Sequence, residues 1–163
     1  MDKRKRNAVV AQSGGMTAAI NATLAGVCDL AAKSPEIGTV YGALHGIEGI
    51  INDRLTELAL SKDEIFRLKI TPGGYLGTCR YKLPDVSVDA KMYKHIFDIF
   101  GKYDIGYFFY IGGNDSVDTA HKLARYAKEI RYDISIIGLP KTLDQSLIHT
   151  CTCRRRGTCS SRM

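Results

Sequence analysis

Apolar residues in this chain form short runs, separated by longer stretches in which apolar residues recur at helical spacing. The runs at residues 8–11, 38–43, 105–111 and 133–138 have the length of buried strands, and residues 20–31 show the helical spacing. Strand patterns that alternate with helical patterns are typical of α/β proteins. The pattern therefore predicts a three-layer αβα fold, with a mainly parallel sheet between two layers of helices.

Helix-end signals predict two further helices. Glu64 follows Ser61 by three residues, which is the spacing of a capping box, so a helix is expected to begin there. Ser87 is expected to cap a second helix that Gly101 ends.

Two paired-glycine turns each follow a predicted strand and precede a helical pattern. They lie in residues 12–17 (QSGGMT) and 110–116 (YIGGNDS). Glycines let the backbone approach a ligand closely, and the following helix would direct its positive end at an anion such as phosphate. The alternative is an ordinary strand-to-helix corner in which Asn114 or Asp115 serves as the N-cap.

A third segment after a predicted strand, residues 138–144 (GLPKTLD), carries three reactive side-chain types within four residues. Lys141 can neutralise developing phosphate charge, Thr142 can orient a substrate, and Asp144 can accept a hydroxyl proton. Because parallel strands end at one edge of a sheet, the three segments are expected to converge there. Such a set of groups favours phosphoryl transfer.

Four segments together resemble the phosphofructokinase family, and within it the pyrophosphate-dependent branch. They are residues 13–22 (SGGMTAAINA), 76–81 (LGTCRY), 112–116 (GGNDS) and 140–144 (PKTLD). The resemblance extends over roughly residues 7–149. It implies a glycolytic phosphotransferase that moves a phosphoryl group from pyrophosphate to fructose 6-phosphate, gives fructose 1,6-bisphosphate and uses Mg²⁺.

The resemblance also implies roles on the donor side. Gly14 and Gly15 match the family's donor-phosphate loop, and Arg80 matches a residue that clamps the donor phosphates. Asp115 stands where ATP-using relatives have glycine, so its side chain is expected to exclude a nucleotide and favour pyrophosphate.

Further roles are implied on the acceptor side. Lys141 matches a lysine that stabilises the transferring charge, Thr142 matches a substrate-binding threonine, and Asp144 matches a substrate-binding base for the sugar's 1-hydroxyl. Asn114 falls where the family usually has a magnesium-binding aspartate, and a neutral amide oxygen is a weaker ligand for this cation.

The last part of the chain departs from the family pattern. The family continues Asp-Asn-Asp-Leu where this chain has Asp144 followed by Gln-Ser-Leu, so a second carboxylate is missing. Residues 151–163 hold three of the five cysteines and four arginines but no acidic residue. A shifted reading frame is the favoured interpretation of this tail.

The alternative for the tail is a zinc knuckle, although its spacing is not a recognised zinc pattern. Its ligands would be His149, Cys151, Cys153 and Cys159. The sequence thus divides into a basic leader at 1–6, an incomplete donor lobe at 7–150 and an aberrant tail at 151–163. Because the family's sugar-phosphate lobe would follow, the chain alone is expected to be inactive.

Composition narrows the classes of partner. The net charge is +6, but without the four arginines of the tail 19 basic residues face 17 acidic ones, or +2, which does not favour nucleic-acid binding. No apolar run reaches membrane-spanning length, so a cytoplasmic protein is expected. In that reducing setting Cys28 and Cys79 are expected to be thiols. A homo-oligomer is expected for the full-length form.

Two other functions stay open at this point. An ATP-dependent 6-phosphofructokinase would keep the reaction and change the donor, and Asp115 argues against it. A non-catalytic nucleotide-binding module would need only the glycine turns, but residues 12–17 lack the G-x-G-x-x-G spacing that dinucleotide binding requires.

Overall fold

Residues 5–141 are described by the computed structural model, and in this part helices cover both faces of a five-stranded sheet. The strands are β1 (Arg6–Gln12), β2 (Ile37–Ala43), β3 (Leu55–Glu57), β4 (Ile105–Gly112) and β5 (Ser135–Pro140). The helices are α1 (Ala18–Lys33), α2 (Ile47–Ile51), α3 (Lys62–Ile70), α4 (Ala90–Lys102) and α5 (Asn114–Glu129).

The strand order is β3-β2-β1-β4-β5. In this order, the pairs β2–β1, β1–β4 and β4–β5 are parallel. β3, at the edge of the sheet, pairs antiparallel with β2. The predicted α/β class with a mainly parallel sheet is confirmed. The pattern missed β3, because its three residues (LTE) form no apolar run and two of them are exposed.

The order of the strands reverses at the centre of the sheet. The chain leaves β1 through α1 to reach β2 on one side, and it leaves β4 through α5 to reach β5 on the other side. Adjacent connections that diverge in this way open a crevice beyond the carboxyl ends of β1 and β4, which is the usual ligand position in open α/β sheets.

β1 contributes side chains to two separate cores. Val9 and Ala11 pack in the core formed with α2, α4 and α5, whereas Ala8 and Val10 pack in the core formed with α1 and α3. All four side chains are fully buried. A strand that is covered on both faces reads as a continuous apolar run, which is why the sequence pattern found it.

The helix ends match the sequence expectations in one case and differ in two. Ser61 Oγ accepts a hydrogen bond from Glu64 N at 3.3 Å, and Glu64 Oε2 accepts one from Ser61 N at 2.7 Å, so the capping box of α3 is confirmed. The expected cap at Ser87 is wrong, since α4 begins two residues later and Asp89 caps it. The N-cap at Asn114 or Asp115, which the alternative interpretation of this turn proposed, is also wrong, because Gly113 occupies that position.

The connection between α3 and α4, residues 71–89, is called the arginine loop here. It must change faces, because α3 packs in the core with α1 and α4 packs in the opposite core. Leu76 is buried in the first core and Leu83 in the second. The intervening residues therefore pass over the carboxyl ends of the strands, where Cys79 pairs with Ser13. Within residues 5–141, no helix has the length and apolar character to cross a membrane.

Candidate functional site

A cavity of about 440 Å³ opens at the carboxyl ends of β1, β4 and β5. Six residues singled out from the sequence line it: Gly14, Gly15, Arg80, Asn114, Asp115 and Lys141. The expected convergence of the three segments is therefore observed, while the roles of the individual residues stay predictions. Thr142, Asp144 and the tail at 151–163 lie outside the described residues.

The turn after β1 requires glycine for its backbone. Gly14 has a φ of +78°, and a Cβ at this position would lie 3.4 Å from Lys141 Nζ. Its amide donates a hydrogen bond to Cys79 O at 3.1 Å. The turn thus lies between the lysine of one segment and the arginine loop of another.

Lys141 joins the end of β5 to both glycine turns. Its backbone N–H donates to Gly112 O at 3.2 Å, and its ammonium group donates to Gly15 O. The residue is only 8% exposed. A cation held at this place lies directly beside the loop that a phosphate would approach.

The turn after β4 lets α5 begin at the cavity. A Cβ on Gly112 would lie 2.0 Å from Ser116 Oγ, so only glycine allows the first turn of α5 to pack against the strand end. Gly113, as N-cap, has no side chain to cover the helix end. The first amides of a helix lack partners within the helix and carry the positive end of its dipole. α5 therefore presents an anion-binding end to the cavity.

The arginine loop is attached to the carboxyl end of β1 at the point where the loop crosses from one face of the sheet to the other. Ser13 pairs with Cys79 in a parallel bridge, and Ser13 Oγ donates to Cys79 O at 3.0 Å. Gly77, with a φ of +71°, turns against His45, whose Nδ1 would be 2.6 Å from an added Cβ. Arg80, next to the bridge, is exposed at the cavity.

The charges around the cavity favour an anion. Arg80, Lys82 and Lys141 line it, and Asp115 is the one carboxylate among the described lining residues. A concave surface with an excess of one charge raises the local concentration of the opposite charge. With the helix end beside it, this cavity suits a compact polyanion.

Magnesium would have few protein ligands here. Among residues 5–141, no group of three or more histidine, cysteine, aspartate or glutamate side chains is arranged to hold a metal ion. Mg²⁺ in phosphoryl-transfer sites keeps several waters and uses one or two carboxylates together with substrate phosphates. Asn114 lines the cavity, and its amide oxygen would be one protein ligand beside those substrate phosphates.

The two cysteines in the described part are free thiols, as expected. Both are buried, and burial raises the pKa of the Cys28 thiol to about 11. Beneath the cavity, burial likewise raises the pKa of the Tyr110 hydroxyl, which therefore stays protonated at neutral pH. The Tyr110 hydroxyl therefore adds no charge beneath the cavity.

Sequence reasoning missed three polar residues around the cavity. Lys82 lies just beyond the motif that drew attention to Arg80. Gln12 and Asn21 are buried, at 0% and 2% exposure. A signal was available for both, because Gln12 ends an apolar strand and Asn21 lies on the same helical face as the buried Leu24 and Ala25.

Comparison with known families and proteins gives consistent results. The phosphofructokinase family model matches residues 7–161. Pyrophosphate–fructose 6-phosphate 1-phosphotransferase from Methylococcus capsulatus is 41% identical over 150 residues, which are 91% of this chain and 36% of that protein. The enzyme of the same name from Xanthomonas campestris pv. campestris is 43% identical over 148 residues, which are 90% of this chain and 35% of that protein.

Solved structures give the same result. The pyrophosphate-dependent phosphofructokinase of Nitrosospira multiformis superimposes with a TM-score of 0.79 at 41% identity, over 85% of this chain and 34% of that one. The enzyme of the same description from Marinobacter aquaeolei gives a TM-score of 0.77 at 46% identity, with the same coverage. The chain thus spans 34–36% of the length of these four proteins.

Proposed function

We propose, from the premise that the chain belongs to the phosphofructokinase family, that its cavity binds pyrophosphate as the phosphoryl donor. The acceptor would be fructose 6-phosphate, and the product fructose 1,6-bisphosphate. The relatives named above, at 41% and 43% identity, carry this activity in their names. We assign the donor-binding part to residues 7–150. A cytoplasmic location and a homo-oligomeric state stay predictions.

One observation carries the proposal: two glycine turns, a helix N-terminus and three cationic side chains meet around a single cavity. Pyrophosphate is a small, highly charged anion, and each of these features is a form of phosphate recognition. A nucleotide would also need room for its sugar and base. Asp115, at the first turn of α5, adds a negative charge where the additional phosphate of a nucleotide would lie.

On the donor side, the roles follow from position. The Gly14–Gly15 turn would hold the phosphate by close backbone approach, with Arg80 contacting it from the arginine loop. Lys141 would stabilise the charge that develops during transfer. Such stabilisation is effective when the charged group is already in place, and Lys141 is held there by its bond to Gly15 O.

On the acceptor side, Asp144 would take the proton from the sugar's 1-hydroxyl while that oxygen forms a bond to phosphorus. The bond from phosphorus to the bridging oxygen of pyrophosphate breaks, and orthophosphate leaves. Thr142 would orient the sugar phosphate. Magnesium, when bound with pyrophosphate, would supply charge neutralisation at the phosphate oxygens, and Asn114 is the residue that would hold it.

Calorimetric titration of the purified chain tests the donor assignment. With Mg²⁺ present, pyrophosphate should bind more tightly than ATP. Lys141→Met should weaken pyrophosphate binding by about tenfold or more, because it removes a charged hydrogen-bond donor from the site. Lys33→Met is the matched control, since Lys33 lies at the far end of α1 and pairs with Asp29 at the surface.

The control variant should bind pyrophosphate as the unmodified chain does. Tighter binding of ATP than of pyrophosphate would support the ATP-dependent alternative instead. Failure to bind either ligand would overturn the proposed function of the cavity.

A further inference from the structure

Two buried amide side chains lie behind the cavity without lining it. Gln12 ends β1 and is fully buried, and Asn21 is on the first turn of α1 at 2% exposure. Buried polar groups are costly unless they are hydrogen-bonded, so the partners of these two amides indicate what they do.

The partners are in the arginine loop. Gln12 Oε1 accepts a hydrogen bond from Leu76 N at 2.9 Å. Asn21 Oδ1 accepts one from Tyr75 N at 2.8 Å, and Asn21 Nδ2 donates to Thr71 O at 3.0 Å.

The two amides also contact each other. Gln12 Nε2 donates to Asn21 Oδ1 at 3.2 Å and to Ile20 O at 3.3 Å. The pair forms one network that links β1, α1 and the first part of the arginine loop. We refer to Gln12 and Asn21 as the amide clamp.

A short and constrained path connects the amide clamp to Arg80. Leu76 O accepts from His45 N at 2.8 Å, Gly77 turns against the His45 ring, and Cys79 is bridged to Ser13. The backbone from Leu76 to Arg80 is therefore held at two points: Ser13 holds it at Cys79, and the amide clamp holds it at Leu76.

We propose that the amide clamp positions Arg80 over the donor cavity, so that Gln12 and Asn21 control pyrophosphate affinity without touching the ligand. The inference rests on the proposed function, because it takes pyrophosphate as the ligand that Arg80 contacts. Both residues are positioning residues in this role.

Asn21→Asp is the informative variant. The carboxylate keeps the acceptor for Tyr75 N, but it places an oxygen against Thr71 O where the amide donated. The loop should loosen at that point, and the Kd for pyrophosphate should rise by about tenfold, as for a lost hydrogen bond at a buried group. Hydrogen exchange in residues 71–80 should become faster.

Asn7→Asp is the matched control. Asn7 Nδ2 donates to Tyr103 O at 2.8 Å, and Asn7 Oδ1 accepts from Thr39 N at 2.8 Å, so the same exchange removes the same kind of bond at the opposite end of β1. This variant should have a similar cost in thermal stability, but pyrophosphate affinity and hydrogen exchange in residues 71–80 should not change.

The Arg80→Ala background separates positioning from general damage. If the clamp acts through Arg80, Asn21→Asp should add no further loss of pyrophosphate affinity once Arg80 is absent. Equal losses with and without Arg80, or no loss in Asn21→Asp alone, would overturn the clamp proposal. Gln12→Glu, which keeps the acceptor for Leu76 N, gives the same comparison if Asn21→Asp does not fold.

The outcome for Arg80→Ala alone concerns the proposed function instead. Unchanged pyrophosphate affinity in that variant would remove Arg80 from the donor site and end the clamp proposal with it. Weaker binding in Arg80→Ala together with normal binding in Asn21→Asp would leave the proposed function intact and reject only the clamp.

Discussion

At the scale of single residues, the site depends on where side chains are missing as much as on where they are present. Gly112 leaves room for Ser116, and Gly14 supplies the positive φ of the turn beside the Lys141 ammonium. Between these glycines, one lysine bonds to the carbonyl of Gly15. We propose that the compact space that results admits a small anion and that Asp115 decides which anion enters.

Asp115→Gly should admit ATP. The change removes both the carboxylate and the side-chain volume from the first turn of α5, so ATP affinity should increase by about tenfold, the effect of about 1.4 kcal/mol of lost repulsion. Calorimetric titration with ATP and with pyrophosphate measures both affinities.

Asp115→Asn separates charge from volume, because it removes the charge and keeps the size. Gain of ATP binding in both variants indicates repulsion by charge, and gain only in Asp115→Gly indicates steric exclusion. The donor assignment is wrong if the unmodified chain already binds ATP as tightly as pyrophosphate.

At the scale of elements, helix ends decide how the site is built. α5 begins at a glycine and presents its first turn to the cavity, whereas α3 and α4 begin at side-chain caps and leave no such opening. The capping box of α3 also fixes the helix from which the arginine loop departs. The contribution of this capping box to the free energy of unfolding can be measured without a ligand.

Ser61→Ala should lower the free energy of unfolding by about 1 kcal/mol at neutral pH, since it removes the side-chain cap of α3. Hydrogen bonding to Ser61 lowers the pKa of Glu64, so the contribution of the capping box is present above the ordinary glutamate pKa and lost as the pH falls through the lower folded-state value. Urea denaturation at several pH values measures the difference.

The effect of Ser61→Ala should therefore shrink in acid. Ser87→Ala is the control, because Ser87 precedes the true cap of α4 and does not cap it. A stability difference for Ser61→Ala that does not change with pH would show that the Ser61 hydroxyl does not contribute to the lowered pKa of Glu64, whose bond from the Ser61 backbone N–H is kept in this variant.

At the scale of the whole molecule, the sheet topology brings together segments that are far apart in the chain. The cavity residues come from the ends of β1, β4 and β5 and from the arginine loop, which crosses between the two cores. A ligand in this cavity would contact elements from both faces of the sheet. Binding should therefore stabilise the folded chain as a unit.

Pyrophosphate with Mg²⁺ should raise the melting temperature. A ligand that binds only the folded state adds about 2.7 kcal/mol at 100 times its Kd, which corresponds to a rise of several degrees for a chain of this size. Differential scanning fluorimetry across a pyrophosphate titration measures the shift. It should be smaller in Lys141→Met, and an equal shift with sulfate would indicate an unspecific anion effect.

The strands that could be predicted from the sequence are those whose burial requires a run of apolar residues. β1 and β4 are apolar runs because helices cover the centre of the sheet. β2 and β5 were also predicted, although half of the β5 residues are exposed and the strand begins two residues later than its run predicted. β3 and the cap of α4 could not be predicted in the same way. A three-residue edge strand buries little, and the turn at residues 85–88 displaced the helix start from Ser87 to Asp89.

For the site, the sequence by itself determined the chemical groups, because glycine pairs and a lysine after strand patterns favour phosphate binding and the family resemblance adds Arg80. Only the tertiary structure decided how these groups are held. The amide clamp joins Gln12 to Leu76 and Asn21 to Tyr75, separations of 64 and 54 residues, and no local pattern records such pairs. The physical reason is that a buried amide takes its partner from whatever backbone the topology brings beside it.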